Sequence, residues 1–442
     1  MSTIAPSLGQ LTDAANIQDW HPARDWGLLR EQPDLSISTP IITPDTWQEM
    51  GQILQLAHRH GEKVLPCGRG SKLHWGGLLG EIDLVVSTAK LNQVIDHAAG
   101  DMTVTVETGL GLEELQTILA KADQFLPIGL NLPPETTVGG AIATAVTGSW
   151  RHRYGGVRDL LLGISFLRAD GELAKAGGRV VKNVAGYDLM KLFTGSYGTL
   201  GVLTQVTFRV YPRPETSRTL LCVGDLAGVS RAAQTLLSSA LTPTSFDLIS
   251  PRLAQEMAGE IISGSQLGLL VRFQSIPESV QQQGDRLTDL ATAYNLKTIT
   301  YEGSNEDSLW EGLAKQIFNS SPIPTITCKI GIIPTAAPQL LETLYKLNNS
   351  SLGLIHSSSG IGWLHLDPAT TSLEMLQKVR QQCEDSQGYL SLLAAPTEYK
   401  QQLDVWGYKG NALGIMEKLK QQFDPKSILS PQRFLGISEY AN

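Results

Sequence analysis

The 442-residue sequence is poor in cysteine and has no cysteine pair at a metal-binding spacing. Its four cysteines, Cys67, Cys222, Cys328 and Cys383, stand far apart along the chain. Zinc sites and iron–sulfur clusters assembled from one stretch need spacings such as Cys-x-x-Cys, so the sequence excludes a locally built site of either kind. Free thiols in a reducing compartment are the expected state.

Long apolar runs and surplus positive charge are also missing. No apolar run reaches the roughly 18 residues that a membrane span needs, so no transmembrane segment is expected. Residues 1–27 lack a basic start followed by an apolar stretch, so no signal peptide is predicted. The formal net charge of −8 argues against nucleic acid or an anionic membrane as the main partner. We expect a cytoplasmic protein.

The usual nucleotide fingerprints are incomplete in this sequence. Residues 68–73 begin like a dinucleotide-binding motif but have Leu73 where the third glycine belongs, and residues 109–114 fail in the same way at Glu114. The Gly-Lys-Ser/Thr ending of a phosphate-binding P-loop is absent as well. A Rossmann site or a P-loop nucleotide site is therefore not supported.

A glycine-rich stretch is present at residues 66–77, between strands predicted at 62–65 and 82–87. Gly68 and Gly70 lack Cβ atoms, so an anionic group can approach the main chain closely there. Consecutive backbone N–H groups in such a turn suit a phosphate or pyrophosphate. A tight polar turn is the alternative, and a second small-residue stretch favours the ligand site.

That second stretch is residues 133–148, which contain two prolines, two adjacent glycines and a series of small side chains. Such residues fill a core poorly, but they leave room for a ligand that lies flat against the backbone. Tyr154 and Gly155 close this region. The two stretches together predict one extended ligand site.

Hydrophobic residues make up 42% and charged residues 18% of the chain, which is long enough for roughly two or three domains. Residues 1–36 are predicted to be an extended lead-in that packs through Trp20 and Trp26. A helix from Thr46 to about His60 follows, with Asp45 as its N-cap.

Four segments are predicted: the lead-in at 1–36, a ligand-binding domain at 37–214, an α+β domain at 215–395 and a C-terminal segment at 396–442 that docks back on the body. Pro212 and Pro214 mark the central boundary. In the α+β domain, strands at 219–223, 267–273, 325–332, 362–366 and 389–393 alternate with helices at 226–240, 277–294, 307–318, 335–347 and 370–384.

Four motifs in order carry a family resemblance: Gly-Arg-Gly-Ser at 68–71, Thr-Val-Gly-Gly at 137–140, Gly-Ser-Tyr-Gly-Thr-Leu-Gly-Val-Leu-Thr at 195–204 and the Phe-Asp-Pro…Ile-Leu-Ser-Pro ending at 423–431. The sequence resembles the vanillyl-alcohol-oxidase-type FAD flavoproteins, which have a PCMH-type FAD-binding domain. Within that family, Lys-Asn-Val-Ala-Gly-Tyr-Asp at 182–188 is most similar to the smaller FAD-binding subunits of bacterial glycolate oxidases.

The resemblance implies an α+β fold: a two-part PCMH-type FAD-binding domain, an α+β ferredoxin-like cap domain, and a C-terminal segment that returns to the FAD domain. It also implies partners, namely a catalytic flavoprotein subunit and an iron–sulfur subunit of one complex. A small 2-hydroxy acid would be the substrate of that complex, and any membrane contact would be made through the partner subunits.

The resemblance further implies that the loop at 68–72 holds the FAD pyrophosphate, with Ser71 donating from its hydroxyl. The stretch 133–148 would run along the isoalloxazine and ribityl groups, and Val202 would pair with the adenine end. Cys67 and His74 are the local candidates for a covalent flavin link, but a non-covalent FAD is expected. The residues assigned to FAD are Pro66, Cys67, Gly68, Arg69, Gly70, Ser71, Lys72, Pro133, Thr136, Thr137, Gly139, Gly140, Ala143, Thr144, Gly148, Tyr154, Gly155, Val202 and Arg433.

The sequence departs from the catalytic relatives where they resemble His-Ala-Gly-Asp-Gly-Asn-Leu-His, a motif whose two histidines bind a divalent metal beside the substrate. Residues 358–365 match it here and retain only His365, with Ile361 and Trp363 in place of Asp and Asn. One imidazole does not hold a divalent ion without further ligands, so no metal is expected.

The Glu-His-Gly of those relatives corresponds here to Val405-Trp406-Gly407, and neither Val405 nor Trp406 can act as a base. In the closing motif, Ser430 replaces an Asn. Catalytic residues therefore remain unassigned. His365, Trp363 and Trp406 are expected to pack in the interior, whereas Lys191 and Arg433 either serve the flavin electrostatically or lie on the surface.

Three functions remain open at this stage. The first is an FAD-binding subunit of a glycolate oxidase or dehydrogenase complex, which converts glycolate to glyoxylate and passes electrons through flavin. The second is a stand-alone FAD-dependent dehydrogenase of another hydroxy acid or alcohol. The third is a flavin-free scaffold subunit that has kept the fold.

Overall fold

The computed structural model describes residues 8–19, 39–129, 132–179, 186–259, 264–318 and 325–434. Its first sheet contains the strands β1 (Ile17–Asp19), β2 (Pro40–Ile42), β3 (Val64–Cys67) and β4 (Leu84–Ser87), in the order β1-β2-β4-β3. Strand β1 belongs to the lead-in and was not predicted from the sequence. Trp20 and Trp26, which were expected to pack the lead-in, lie outside the described residues.

Helix α1 (Trp47–His60) connects β2 to β3 and packs against this sheet. Its N-cap is Thr46, whose hydroxyl accepts a hydrogen bond from the Glu49 backbone N–H at 3.2 Å. The prediction of Asp45 as the cap was therefore wrong by one residue. The Asp45 carboxylate instead contacts Lys90 Nζ at 2.7 Å, because the neighbouring hydroxyl already serves the helix terminus.

The second sheet is antiparallel, in the order β5-β6-β10-β8-β9. Short strands β7 and β11 pair beside it, and helix α2 (Leu112–Ala120) follows β6. Helices α3 (Val138–Ala143), α4 (Arg151–Tyr154), α5 (Val157–Leu160) and α6 (Leu189–Phe193) are short. The strands are β5 (Val94–Ala98), β6 (Thr103–Glu107), β7 (Gln124–Phe125), β8 (Leu161–Leu167), β9 (Leu173–Gly177), β10 (Val202–Arg209) and β11 (Tyr211–Pro212).

Beyond β11 the chain forms one antiparallel eight-stranded sheet, in the order β15-β12-β14-β13-β17-β18-β16-β19. Its strands are β12 (Thr216–Gly224), β13 (Ser245–Ile249), β14 (Leu267–Ser275), β15 (Lys297–Tyr301), β16 (Ile326–Gly331), β17 (Leu352–His356), β18 (Ile361–Leu366) and β19 (Tyr389–Ala394). Its helices are α7 (Leu226–Ser238), α8 (Pro251–Ala258), α9 (Pro277–Ala293), α10 (Gly303–Phe318), α11 (Ala337–Leu347) and α12 (Leu373–Asp385).

This sheet consists of two βαββαβ units, β12–β15 and β16–β19, each with the ferredoxin-like strand order in which the first and third strands are central. The units join edge to edge where β13 pairs with β17. Strands β13, β15 and β17 were missed at the sequence level. Each has only five residues, and Asp247 and His356 interrupt the apolar pattern of two of them.

The eight-stranded sheet has two apolar faces. One face, with Leu220 and Leu364, packs against α7, α9, α11 and α12. The opposite face, with Leu354 and Trp363, shares a single core cluster with the second sheet, including Val206. We call this opposite face the inner face of the cap. The core is continuous across Pro212 and Pro214, because alternate side chains of each cap strand point toward the FAD-binding half.

Helices α13 (Thr397–Gln402) and α14 (Leu413–Phe423) lead the chain back to the first sheet, where Leu429 forms a bridge to Val64. Asp424 holds this return in place. Its fully buried carboxylate accepts hydrogen bonds from Leu429 N at 2.7 Å and from Lys420 Nζ at 2.6 Å. The C-terminal segment therefore docks on the FAD-binding half, as the fold class predicted.

Candidate cofactor site

An open cleft lies between the loop after β3, the start of α3 and the loop before β10. Nearly all of its walls come from three stretches that are distant in the sequence. The lining residues are Leu65, Pro66, Cys67, Gly68, Arg69, Gly70, Ser71, Lys72, Leu73, Trp75, Thr88, Thr108, Thr137, Gly139, Gly140, Ala143, Thr144, Ser196, Tyr197, Gly198, Gly201, Val202, Leu203 and Arg433.

The loop after β3 comes so close to α3 that side chains do not fit between them. A Cβ atom on Gly68 would lie 2.2 Å from Thr137 Oγ1. Gly70 adopts φ +79°, the left-handed conformation that glycine accepts without a steric penalty. The loop therefore exposes its backbone to the cleft, and its shape depends on both glycines.

The start of α3 forms the facing wall. Thr137 caps this helix by accepting a hydrogen bond from Gly140 N at 3.1 Å, while Gly139 N donates to Thr108 O at 2.8 Å. A Cβ atom on Gly139 would lie 2.9 Å from the Thr108 side chain. Thr108 in turn donates from its hydroxyl to Leu203 O at 2.6 Å, so this wall is tied to the start of β10.

Two cations of the cleft contact neutral oxygen atoms. Lys72 Nζ donates to Thr136 Oγ1 at 2.8 Å, and Arg433 Nη1 donates to the carbonyls of Trp75 at 2.7 Å and Gly77 at 3.1 Å. Desolvation lowers the pKa of Lys72 to about 7 and the pKa of Arg433 to about 10. Desolvated positive charge without close neutralisation is stabilised by a bound anion, so this cleft suits a phosphate-containing ligand.

Aromatic rings surround Arg433. Trp406 Nε1 donates to Arg433 O at 3.2 Å, and the Trp406 ring packs edge-on against Tyr197 with 4.9 Å between centroids. Burial raises the pKa of the Tyr197 phenol, which keeps it protonated. Trp406 was expected to pack in the core or at an interface; it is half-buried, and its ring packs against residues that line the cleft.

The cap approaches the cleft through two tryptophans. Trp75 lines the cleft, and its ring lies 5.7 Å from the ring of Trp363, which projects from the inner face of the cap. Trp363 is fully buried, and Lys329 Nζ lies 5.7 Å from its ring centroid. Lys329 also donates to Ala145 O at 3.0 Å, and desolvation lowers its pKa to about 8.

Most residues that the sequence analysis assigned to FAD lie together in this cleft. They are Pro66, Cys67, Gly68, Arg69, Gly70, Ser71, Lys72, Thr137, Gly139, Gly140, Ala143, Thr144, Val202 and Arg433. Thr136 stands directly behind them as the partner of Lys72. Their convergence is a structural fact, whereas their contact with FAD stays a prediction.

Four other assigned residues do not line this cleft. Gly148 borders a separate small cavity beside Trp363, and Tyr154 lines a polar cleft with Tyr211 and Gln274. Gly155 follows Tyr154 at the end of α4 and turns away with it. Pro133 starts the small-residue stretch but is not part of the cleft wall. Only the first part of this stretch, up to Thr144, reaches the cleft.

Several cleft residues were not assigned from the sequence. Ser196, Tyr197, Gly198 and Gly201 belong to the Gly-Ser-Tyr-Gly motif, so that motif already contained a signal for them. Trp75 lies within the glycine-rich stretch 66–77, so its place in the cleft could have been predicted with that loop. Thr88 and Thr108 carry no local signal, because they reach the cleft only where segments far apart in the sequence become neighbours.

The candidates for a covalent flavin link are poorly activated. Burial raises the pKa of the Cys67 thiol to about 12, so it is a weak nucleophile. Desolvation and the nearby charges of Lys400, Lys72 and Arg433 lower the pKa of His74 to about 3. His74 is therefore neutral at ordinary pH. Its position beside the cleft leaves the type of flavin attachment open.

His365 and Lys191 can now be placed. His365 is buried on the inner face of the cap, its Nδ1 lies 3.5 Å from Thr327 Oγ1, and burial lowers its pKa to about 4. Lys191 is half exposed and pairs with Asp188 at 2.7 Å, so it acts as a surface charge. In the described part of the chain, no group of three or more His, Cys, Asp or Glu side chains is arranged to hold a metal ion.

A buried acid–base pair was missed at the sequence level. His356 Nδ1 lies 2.6 Å from Asp247 Oδ1 across the joint between the two cap units, and both side chains are essentially inaccessible. Among the residues that the structure describes, His356 Nε2 finds no hydrogen-bond partner. The two residues lie 109 positions apart, so no local pattern could have linked them.

Parts of the chain are similar in sequence to known flavoproteins and hydroxy-acid oxidoreductases. Residues 39–177 match the FAD binding domain family. The chain is 24% identical over 430 residues to the glycolate oxidase subunit GlcD of Bacillus subtilis (strain 168), which covers 91% of this chain and 90% of that protein. It is 30% identical over 221 residues to D-2-hydroxyglutarate dehydrogenase of Xanthomonas citri pv. viticola, or 50% of this chain and 46% of that protein.

Solved structures show the same fold. A structure of p-cresol methylhydroxylase with substrate bound matches with a TM-score of 0.75 at 12% identity, covering 97% of this chain and 95% of that chain. Alkyldihydroxyacetonephosphate synthase matches with a TM-score of 0.70 at 16% identity over 98% of this chain and 87% of that chain. Within the described residues, no helix is long and apolar enough to cross a membrane.

Proposed function

The chain is an FAD-binding flavoprotein, with its FAD-binding domain at residues 39–177, and an FAD-dependent oxidoreductase of hydroxy acids; from this premise we propose that it is the FAD-binding subunit of a glycolate-oxidising complex. In that complex, glycolate becomes glyoxylate, and electrons pass through flavin to an iron–sulfur subunit. The match to the FAD-binding family removes the flavin-free scaffold from the candidate functions.

The residues of the cleft fit FAD. The loop at 68–72 offers backbone N–H groups where a Cβ atom on Gly68 would have no room, which suits a pyrophosphate. The N–H groups at the start of α3 are already bonded within the facing wall, so that wall contributes its close approach and not free donors. Lys72 and Arg433 bring positive charge to the lining. FAD, when bound, supplies the two-electron acceptor of the reaction. The chain's own groups bind it, orient it and surround it with positive charge.

Glycolate is proposed because the similarity to the glycolate oxidase subunit spans nearly the whole of both chains. D-2-hydroxyglutarate dehydrogenase of Xanthomonas citri and D-lactate dehydrogenase of Arabidopsis thaliana match half of this chain or less. D-lactate dehydrogenase of Archaeoglobus fulgidus, at 24% identity, matches 88% of this chain and 90% of that protein, so the preference for glycolate over lactate is small. All of these relatives are named for hydroxy acids. The common substrate class is therefore a short 2-hydroxy acid, and glycolate is the member that the longest match supports.

The subunit role rests on one observation: the place where catalytic relatives carry a metal and a base is occupied here by residues that can supply neither. His365 is buried and neutral, and Trp363 is packed in the core beside it. Val405 is buried, and Trp406 packs against Arg433. A hydroxy acid must lose its alcohol proton to a base within hydrogen-bond reach, and these residues do not provide one.

The test is to purify the chain alone and together with its proposed partner subunits. The single chain should be yellow and should not turn over any short 2-hydroxy acid. The assembled complex should oxidise glycolate with an artificial electron acceptor. Absence of association with a second flavoprotein, or no gain of glycolate oxidation on mixing, would contradict the proposal.

The Asp247–His356 pair supports a second candidate, a stand-alone dehydrogenase of another hydroxy acid or alcohol. A histidine oriented by a buried carboxylate is a common proton acceptor, and this one lies on the inner face of the cap. In that case, some alcohol or hydroxy acid should bleach the flavin of the isolated chain. The variant His356→Gln should then abolish the bleaching while FAD remains bound.

A further inference from the structure

Trp363 occupies a central position on the inner face of the cap. It lies on β18, directly between Lys329 on β16 and Leu354 on β17. Cross-strand partners share one face of a sheet, so all three side chains project toward the FAD-binding half. Trp363 is the largest of them, and none of its surface is exposed.

The contacts of Trp363 fix its indole against the FAD-binding half. Its Nε1 donates to Thr147 O at 3.3 Å, and its ring lies against Trp75, a residue of the cleft wall. Lys329 Nζ reaches past the ring to Ala145 O. The indole is thus held from both sides, by the cap sheet and by the segment that follows α3.

Little space remains around this indole. The cavity behind it, lined by Gly148, His356 and Trp310, has a volume of about 20 Å³, which is enough for about one water molecule. The FAD cleft itself has no lining residue from 215–395 within the described part of the chain. The cap therefore reaches the cleft wall through the Trp363–Trp75 contact and, beside it, through Leu393 O, which accepts a hydrogen bond from Gly76 N at 2.8 Å. No substrate-sized space lies behind the Trp363–Trp75 contact.

The sequence indicates which residue type Trp363 replaces. Trp363 stands where the catalytic relatives that the sequence resembles have an asparagine. An indole in place of a carboxamide adds a large, rigid and mainly apolar volume at that point of the inner face. A group of this size displaces any ligand that would otherwise lie between the cap and the cleft.

We propose that Trp363 closes the cap side of the FAD cleft, so that a hydroxy acid does not reach the flavin held by this chain. The proposal rests on the proposed function, in which FAD binds in this cleft, and adds the residue that denies the substrate its place. The substrate of the complex is then oxidised at the flavin of the partner flavoprotein. Because of Trp363, this chain binds no hydroxy-acid substrate at its own flavin.

Sulfite is a suitable probe, because it adds to N5 of an oxidised flavin that it can reach and bleaches the visible absorption. It needs neither a catalytic base nor a metal, so it reports access alone. The full chain, purified with FAD, should form this adduct slowly. The variant Trp363→Ala should form it at least about tenfold faster.

A matched control is Trp310→Ala. Trp310 is a second buried tryptophan on the inner side of the cap, and it borders the same small cavity. Neither tryptophan lines the FAD cleft, but Trp363 packs on Trp75 of the cleft wall, whereas Trp310 contacts Thr219 and Arg272 within the cap. The variant Trp310→Ala removes an equally large side chain and should leave the rate of sulfite addition unchanged. Trp363→Leu, which keeps an apolar side chain in the core, provides a milder opening if Trp363→Ala folds poorly.

Rapid sulfite addition to the unsubstituted chain would overturn the proposal, as would unchanged slow addition in a Trp363 variant that holds FAD. A gain in sulfite reactivity without any turnover of glycolate supports it. If the opened variant also oxidises glycolate alone, closure by Trp363 is upheld but the subunit role is not. The failure of the two proposals can thus be told apart.

Discussion

On the FAD-domain side of the cleft, a Cβ atom on Gly68 or Gly139 would collide with a neighbouring segment of the same chain. On the cap side, the large side chains of Trp363 and Trp310 fill the space. The first wall is shaped by absent side chains and presents backbone N–H groups. The second is shaped by indole rings and presents apolar surface. Backbone recognition suits a cofactor whose phosphates are constant, and bulky packing suits a surface with no ligand to bind.

The charged side chains of the two sides differ in where they lie. Lys72 and Arg433 line the cleft and donate to neutral oxygen atoms, so an anion bound in the cleft would neutralise them. Lys329 of the cap also donates to a neutral oxygen, Ala145 O, but it lies beside the Trp363 ring and does not line the cleft. In the proposed function, the FAD-domain side holds the cofactor and the cap side leaves no room for a substrate.

The largest effect is expected from Gly70→Val on the cleft wall. Gly70 has φ +79°, and a branched side chain would be strained and would also cover the backbone that faces the phosphates. FAD binding, followed by fluorescence titration, should be lost. Gly61→Val is the control, since Gly61 has φ +76° with no atom within 4 Å of its Cβ position and lies outside the cleft. Equal FAD affinity in both variants would mean that the loop is misassigned.

On the cap wall, Trp310→Ala should reduce stability without weakening FAD. The ring is buried, and its Nε1 donates to Thr219 Oγ1 at 2.9 Å, so its removal should lower the free energy of unfolding by about 3–5 kcal/mol. Urea unfolding measures this loss. Replacing exposed Ile415 by alanine should change stability by less than about 0.5 kcal/mol. A marked loss of FAD affinity in Trp310→Ala would contradict this prediction, because it would mean that the cap wall also contributes to FAD binding.

A smaller effect concerns Lys72 and pH. Desolvation lowers the pKa of Lys72 to about 7 in the free protein, and a nearby pyrophosphate should raise that pKa again. FAD binding should then take up a proton, so affinity falls as pH rises above about 7, by at most about tenfold per pH unit. Lys72→Met should flatten this dependence, whereas Lys191→Met at a surface pair should retain it. A steep dependence that survives in Lys72→Met would assign the effect to another group.

The smallest effect is expected from His365→Ala. The imidazole is buried, and its pKa is lowered to about 4, so it serves as packing on the inner face. Glycolate turnover of the reconstituted complex should remain nearly intact. A fall of a hundredfold or more, about 2.7 kcal/mol of transition-state stabilisation, in a variant that still assembles and holds FAD would show that this chain does chemistry itself.

Much of the fold could be predicted from local patterns. Five of the described cap helices were predicted to within a few residues because their apolar side chains repeat at helical spacing, as α7 and α9 illustrate. The eight-residue helix α8 was missed. The glycine loop after β3 was recognised because small residues between two strands serve few structural purposes other than a close approach. FAD binding followed from the order of the motifs, and the comparisons confirm it.

The pairing of distant strands was decided by tertiary structure alone. Strands β13 and β17 are short and contain Asp247 and His356, so each is an unconvincing strand until the two units join and the pair is buried. The shared topology of the two cap units likewise becomes clear only from the strand order of the folded sheet.

The sequence by itself determined which residues are too small to fill a core and in which order they occur, and that was enough for the cofactor wall. Only the tertiary structure decided that Trp363 faces the cleft through Trp75, and that Lys72 and Arg433 approach the same ligand space from opposite ends of the chain. The physical reason is the distance over which each residue exerts its effect. A glycine changes the conformation of its own backbone, whereas the contacts of an indole or a cation depend on which residues the sheet register places beside it.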